Sequence, residues 1–210
     1  LVKFIVWALP SNLGLGLVLV AAIVADTELP ILPLQVLWLN MTAVLVLGLP
    51  FAVEPKDEAI MRRPPRDPSL PLITRAMTAR ILAVSAILLA GAFGLQNWER
   101  ANGAEPDVAQ TIVVNVFALT LLGYVFNCLS LDRFLLWRGV RRNPWVAVSA
   151  LALVAIQLFY TYAPPMNDVF GSAPLTLAHW LRIATIAAGS YALLELLKLL
   201  QRGTSGGRRA

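Results

Sequence analysis

Charged side chains are scarce in this sequence, and histidine and cysteine are almost absent. Only 14% of the 210 residues are charged whereas 58% are hydrophobic, and the mean hydropathy is +0.71. This balance excludes an ordinary soluble globular domain. The single cysteine, Cys128, has no partner for an intrachain disulfide, and the one histidine leaves no set of His, Cys and carboxylate side chains for a metal centre.

Motifs for enzymatic chemistry are also missing. The sequence contains no glycine-rich phosphate loop and no nucleophile beside a plausible base, so no residue is assigned a catalytic role. We therefore expect that this chain by itself binds no cofactor and does not hydrolyse ATP. No internal repeat is visible, which argues against a transporter built from inverted repeats.

Long apolar runs dominate what is present. They predict six membrane-spanning helices at about residues 4–25, 31–53, 75–95, 109–131, 144–163 and 177–200. The runs are continuously apolar and do not alternate, which favours helices over a barrel. The predicted fold is all-α: a polytopic bundle of six transmembrane helices in contact with the lipid bilayer.

The net charge of +5 follows the predicted topology and does not indicate a nucleic-acid partner. Basic residues lie in or beside the links after the second and fourth spans and in the tail, namely Lys56, Arg62, Arg63, Arg66, Arg75, Arg80, Arg133, Arg138, Arg141, Arg142, Lys198, Arg202, Arg208 and Arg209. Acidic residues gather in the opposite links, namely Asp26, Glu28, Glu99, Glu105, Asp107 and Asp168. The positive-inside rule then predicts that both termini are cytoplasmic.

The chain divides into a membrane domain, residues 1–202, and a basic tail, residues 203–210, that we expect to be disordered. Within the membrane domain, residues 54–74 form a proline-rich cytoplasmic loop that we expect to be stiff and extended. The sequence begins without methionine and enters a helix at once, so we expect it to be part of a longer polypeptide.

Polar residues interrupt the first two spans. In the first span, Pro10 removes a backbone donor, while Gly14 and Gly16 permit the close approach of a neighbouring backbone. One interpretation is that backbone carbonyl oxygens and the amide oxygen of Asn12 face a cation. The alternative is that the segment is a kink that packs against another helix through its small residues. In the second, Asn40 and Thr42 bring neutral oxygens near mid-membrane, where Asn40 either serves as a ligand or hydrogen-bonds Asn12.

Three segments resemble the C-terminal membrane region of P-type cation-transporting ATPases, the group of calcium pumps, sodium/potassium pumps and their bacterial counterparts. They are KFIVWALPSNLGLGLVLVAAI, LPILPLQVLWLNMTAVLVLGLPFAVEPKDEAIMRRPPRDPSLPLI and GYVFNCLSLDRF. The most specific part of the resemblance is the run from Glu54 to Ile73. The PSNLG and WLNMT motifs precede it in the same order and at the same spacing as in the family. The resemblance covers nearly the whole chain and implies the fifth to tenth membrane helices of a pump.

The resemblance implies candidate cation ligands at Asn12 and Asn40, with Thr42 close by. It also implies that residues 54–74 couple the membrane domain to the phosphorylation domain. Residues of this coupling loop that we single out are Glu54, Arg62, Arg63 and Arg66.

The resemblance fails at the family's carboxylates, because Leu15, Val44 and Leu121 stand where acids are expected. A divalent ion at low dielectric needs negative countercharge, whereas neutral oxygens suit a monovalent ion unless a helix outside this chain supplies an acid.

We interpret the chain as the C-terminal membrane part of an ATP-driven cation transporter in a bacterial plasma membrane. Other pump domains would bind ATP and magnesium. The alternative is a non-catalytic, pump-derived scaffold or accessory subunit of a larger complex, with other membrane subunits as partners. An independent channel or carrier is a weaker third interpretation.

Overall fold

The computed structural model describes residues 2–53, 73–129 and 143–206, and within these ranges all regular structure is helical. The helices are α1 (Val2–Val24), α2 (Pro33–Leu39), a π-helical segment (Asn40–Val44), α3 (Leu45–Ala52), α4 (Arg75–Ala101), α5 (Pro106–Leu129), α6 (Trp145–Tyr162), α7 (Pro164–Phe170) and α8 (Leu177–Gly206).

Among the described residues, six helical stretches are long and apolar enough to cross a membrane, which confirms the predicted number. They are Val2–Val24, Pro33–Ala52, Met77–Ala101, Pro106–Leu129, Trp145–Tyr162 and Leu177–Leu197. The second stretch combines α2, the π-helical segment and α3. All six overlap the predicted spans, and the chain is an integral membrane protein.

Two features of the helices differ from the expectation. α4 extends six residues beyond the predicted boundary at 95 because the polar sequence that follows is still compatible with a helix, which ends only where Gly103 takes a φ of +88°. α8 continues to Gly206 and so includes residues 203–206 of the predicted tail. The short helix α7 was not predicted.

α5 forms the centre of the bundle. It packs against α1, α4, α6, α8 and the second span, and most of its residues are buried, including the polar side chains of Thr111, Asn115, Thr120 and Asn127. An apolar core surrounds it, with Trp7, Phe117 and Leu121 among its fully buried members. A helix buried on all sides in this way needs apolar residues around its whole circumference, which matches its near-continuous hydrophobic sequence.

The links 25–32, 102–105 and 163–176 meet at one end of the bundle, called here the short-loop end. There Arg100 pairs with Glu28 at 3.0 Å, and the Gln110 side-chain amide donates to the carbonyl of Leu29 at 3.1 Å. Gln35 accepts from the backbone N–H of Leu32 and donates to the carbonyl of Phe170, which fixes the start of α2 against α7. The short-loop end is thus held together by contacts between links far apart in sequence.

Candidate functional site

The proline in α1 leaves a backbone acceptor that another helix satisfies. Pro10 has no N–H, so the carbonyl of Val6 lacks its usual donor, and α1 nevertheless continues from Val2 to Val24. The hydroxyl of Tyr124 on α5 donates to that carbonyl at 3.0 Å. One turn further, the hydroxyl of Ser85 on α4 donates to the carbonyl of Pro10 at 3.3 Å. The sequence predicted the freed carbonyl but gave no signal for its partner.

The two glycines of α1 play different parts. A Cβ at Gly14 would lie 3.0 Å from Cδ1 of Leu88 and 3.4 Å from Phe117, so this glycine permits the close approach of α1 to α4 that the packing interpretation predicted. A Cβ at Gly16 would meet no described atom within 4 Å. Gly16 therefore belongs to a face of α1 that the described residues of this chain leave uncovered.

Asn12 lies on the same uncovered side of α1. Its side chain is exposed, and its amide nitrogen donates to the carbonyl of Ala8 at 3.2 Å within the helix. Neighbouring Ser11 is buried and donates to the same carbonyl at 2.7 Å. The amide oxygen of Asn12 accepts no hydrogen bond from the described part of the chain, so it remains available to a ligand or to a helix outside it.

The second span contains a π-helical segment, Asn40–Val44, near its middle. Such segments are rare and often occur at functional sites. The hydroxyl of Thr42 donates to the carbonyl of Trp38 at 2.7 Å, and a side-chain bond of this kind competes with the backbone donor at the same carbonyl. Asn40 is half-buried at the start of the segment, and its side chain makes no hydrogen bond to a residue that the structure describes.

Of the two alternatives for Asn40, the hydrogen bond to Asn12 is wrong, because no such bond occurs in the described structure. Asn12 donates within its own helix, as above, and α1 packs chiefly against α4. Where α1 does meet the second span, it meets α3 through aromatic rings, with the ring centroids of Trp7 and Phe51 5.5 Å apart. The two asparagines are thus separate features of the bundle, each with a free amide oxygen.

The positions where the resemblance places carboxylates are apolar in structure as well as in sequence. Leu15 and Leu121 lie in the hydrophobic core at 4% and 0% exposure, and Val44 packs against that core at the end of the π-helical segment. Burial among apolar side chains would penalise a charge strongly at either leucine. The described residues also contain no group of three or more His, Cys, Asp and Glu that could hold a metal ion.

Two carboxylates are nevertheless buried elsewhere. Near the short-loop end, Glu99 on α4 accepts from Arg182 on α8 at 2.8 Å, with His179 3.9 Å away. The Arg182 guanidinium also lies 4.5 Å from the centre of the Trp98 ring. These contacts tie α4 to α8 through a charge pair that is only partly solvated.

The second buried carboxylate, Glu195 on α8, lies in the half of the bundle away from the short-loop end. It accepts from the side-chain amide of Asn127 on α5 at 2.7 Å, and both residues are buried. This bond joins α5 to α8. The burial of Glu195 depends on the packing of α8 against α5.

The coupling-loop residues Glu54, Arg62, Arg63 and Arg66 lie outside the described residues, so their roles stay predictions. The three candidate ligands Asn12, Asn40 and Thr42 all belong to the first two spans. The structure adds the π-helical segment around two of them, which no motif in the sequence indicated.

Comparison with known proteins identifies the family. Residues 28–200 match the family model described as "Cation transporting ATPase, C-terminus". The probable cation-transporting ATPase F of Mycobacterium tuberculosis is 45% identical over 203 residues, which make up 96% of this chain and 22% of that protein. The cation-transporting ATPase pma1 of Synechocystis is 32% identical over 184 residues, 85% of this chain and 20% of that protein.

A more distant relative is the calcium-transporting ATPase type 2C member 2 of Mus musculus, 28% identical over 98% of this chain and 22% of its own length. The chain thus spans about a fifth of the length of the curated relatives that it matches. With six membrane spans among its described residues and a family match over most of its length, the chain belongs to the family of P-type cation-transporting ATPases and corresponds to their C-terminal transmembrane region.

Proposed function

We propose that this chain contributes to the ion pathway of an ATP-driven cation transporter, with Asn12, Asn40 and Thr42 supplying oxygen ligands. The observation that carries the proposal is the π-helical segment Asn40–Val44, which lies near the middle of a membrane span and includes two of these residues. An irregular backbone at membrane depth occurs where it is buried in protein or lines a polar pathway.

The free amide oxygens support the same proposal. In a bilayer, an amide oxygen without a donor is costly, so Asn12 and Asn40 require a partner that the described residues do not supply. Asn12 lies on the uncovered face of α1, and Asn40 is only half-buried. A cation held between either asparagine and membrane helices outside the chain would satisfy the amide oxygen of that asparagine.

The charge of the site restricts the ion. Leu15, Val44 and Leu121 supply no negative charge, and the buried carboxylates Glu99 and Glu195 are each bonded to another side chain. A monovalent cation fits neutral oxygens, whereas a divalent ion would require carboxylates from outside this chain.

The ATP-binding domains of the transporter would lie on the side of the membrane opposite the short-loop end. Basic residues concentrate in the links on that side, which supports a cytoplasmic location for both termini in a bacterial plasma membrane. ATP and magnesium would bind to domains outside this chain, and residues 54–74 would couple them to the membrane. The residues assigned to that coupling are Glu54, Arg62, Arg63 and Arg66.

The test measures cation-stimulated ATP hydrolysis by the intact protein in proteoliposomes, with sodium, potassium and calcium compared separately. We expect Asn40→Ala to raise the half-saturating concentration of the transported cation about tenfold or more, as for the loss of roughly 1.4 kcal/mol of binding. Asn97→Ala is the matched control, because Asn97 is an exposed asparagine of α4 near the short-loop end. An unchanged cation dependence in Asn40→Ala would refute the ligand role.

A non-catalytic scaffold is the second candidate, and the burial of Leu15 and Leu121 in the apolar core favours it. A scaffold needs the fold and the membrane but no cation. Radiotracer uptake distinguishes the two functions, because saturable ATP-dependent uptake above that of protein-free vesicles excludes the scaffold. Uptake equal to that of protein-free vesicles, by a protein that is correctly folded, excludes the transporter.

A further inference from the structure

A group of buried polar side chains, called here the α6 polar site, lies where α6 packs against α5 and the second span. It comprises Trp38 on α2, Asn115 on α5, and Gln157, Tyr160 and Thr161 on α6. All except the half-buried Trp38 are at most 1% exposed. It involves none of the residues that we propose as cation ligands.

Direct contacts between side chains hold the group together. Gln157, Tyr160 and Thr161 follow at i, i+3 and i+4, so they share one face of α6. The Tyr160 ring stacks on Trp38 with centroids 5.4 Å apart, and the Asn115 side-chain amide donates to the Thr161 hydroxyl at 3.2 Å. The face of α6 that carries Gln157 is therefore bounded by α2 on one side and α5 on the other.

Several polar atoms of this site have no hydrogen-bond partner among the described residues. They are Nε1 of Trp38, Oδ1 of Asn115, both Nε2 and Oε1 of Gln157, and the hydroxyl of Tyr160. Each orphaned buried group costs free energy comparable to a lost hydrogen bond, and Gln157 alone leaves a donor and an acceptor unsatisfied. Such a concentration of unsatisfied groups at one helix contact requires a ligand.

The kinds of atom involved identify that ligand. A bare cation would suit the two amide oxygens but would face the indole N–H of Trp38 and the amide N–H₂ of Gln157, which are donors only. An anion would face the amide oxygens instead. Water both donates and accepts, and a buried water makes about three hydrogen bonds to otherwise unsatisfied groups.

We propose that the α6 polar site binds ordered water, which hydrogen-bonds the Gln157 amide to the other unsatisfied atoms. The site is closed toward the short-loop end, because the Phe170 ring packs on Trp38 with centroids 5.0 Å apart, and Ser172 donates to the carbonyl of Tyr160 at 2.7 Å. The water joins α6 to α2 immediately before the π-helical segment. This inference does not depend on the proposed transport function.

Radiolytic hydroxyl labelling of the intact protein in nanodiscs tests the proposal, because an ordered water generates the radical beside the side chain that it touches. The chain contains a matched control. Tyr124 is fully buried, as Tyr160 is, but its hydroxyl donates to the carbonyl of Val6. We expect oxidation of Tyr160 to exceed that of Tyr124 several-fold. Equal protection of the two tyrosines would overturn the proposal.

The variant Gln157→Leu tests the central residue. It replaces the amide with an apolar side chain of similar size, so we expect oxidation of Tyr160 to fall to the level of Tyr124 while the exposed Trp98 is oxidised as before. Unchanged oxidation of Tyr160 would refute the role of Gln157. If this variant fails to fold, oxidation of Trp7 will rise as well, and the comparison within the unmodified protein still decides the proposal.

Discussion

The hydrogen bond from Tyr124 to α1 offers a sharp test of how proline is accommodated in this bundle. The Tyr124 hydroxyl lies 3.0 Å from the carbonyl of Val6, the group that Pro10 deprives of its normal donor. The variant Tyr124→Phe removes this hydroxyl and keeps the ring, so the contact with Arg80, 5.5 Å from the ring centre, is retained. The change also removes the contacts of the hydroxyl with Cys128 and Arg80, so a comparison in a second variant is needed to isolate the bond to Val6.

The expected magnitude follows from the environment of the carbonyl. Hydrogen bonds between membrane helices average about 0.6 kcal/mol and reach about 1.7, while a buried acceptor left without a partner costs about 1–3 kcal/mol. Since Val6 has no i+4 donor, we expect the upper part of the first range. Tyr124→Phe should lower the free energy of unfolding by about 1.5 kcal/mol, close to a tenfold change in the unfolding equilibrium.

A second background makes the prediction falsifiable. In Pro10→Ala the new backbone N–H donates to the carbonyl of Val6, so adding Tyr124→Phe should cost only about 0.5 kcal/mol, which corresponds to a coupling near 1 kcal/mol. Steric trapping in bicelles, with tags on α1 and α5, measures the free energy of unfolding for all four variants. An equal cost of Tyr124→Phe in both backgrounds would refute the proposed link between the proline and the tyrosine.

Two further predictions concern the packing of α4. A Cβ at Gly91 would lie 2.8 Å from Cγ2 of Ile186, whereas a Cβ at Gly94 would meet no described atom within 4 Å. We therefore expect Gly91→Ala to destabilise the bundle by about 1–3 kcal/mol, and Gly94→Ala to be neutral or stabilising. Equal thermal stability of the two variants would contradict this. Arg182→Gln leaves the buried Glu99 carboxylate without its guanidinium partner and should lower the free energy of unfolding by about 2 kcal/mol. This loss is smaller than for a fully buried ion pair, because Arg182 is partly solvated. Adding Glu99→Gln should recover part of the loss in melting temperature, and a further decrease would argue against the pair.

Much of the architecture could be predicted because membrane helices are determined by local composition. A bilayer provides no partner for backbone groups, so each apolar run of about 20 residues forms a helix regardless of its neighbours. The motifs around Asn12 and Asn40 are also local in sequence, so they indicated the family without any knowledge of the tertiary structure. The alternative in which these two asparagines hydrogen-bond each other was wrong, because such a bond depends on which faces of the helices meet.

The partners of buried polar groups could not be predicted in the same way. Glu195 near a helix end resembles an interfacial residue in sequence, yet the packing of α8 against α5 buries it beside Asn127. Gln157 lies in an apolar run and carries no motif, and only the contact of α6 with its neighbours shows that its amide is unsatisfied.

The amino-acid sequence by itself determined the class of protein, the number of its spans and its family, since each depends on composition and on short motifs. The tertiary structure decided which oxygens are free, which carboxylates are buried and where the second span becomes π-helical. These properties depend on helix contacts between residues as far apart as Val6 and Tyr124, and such contacts are fixed by the shapes of whole helix faces, which no local pattern encodes.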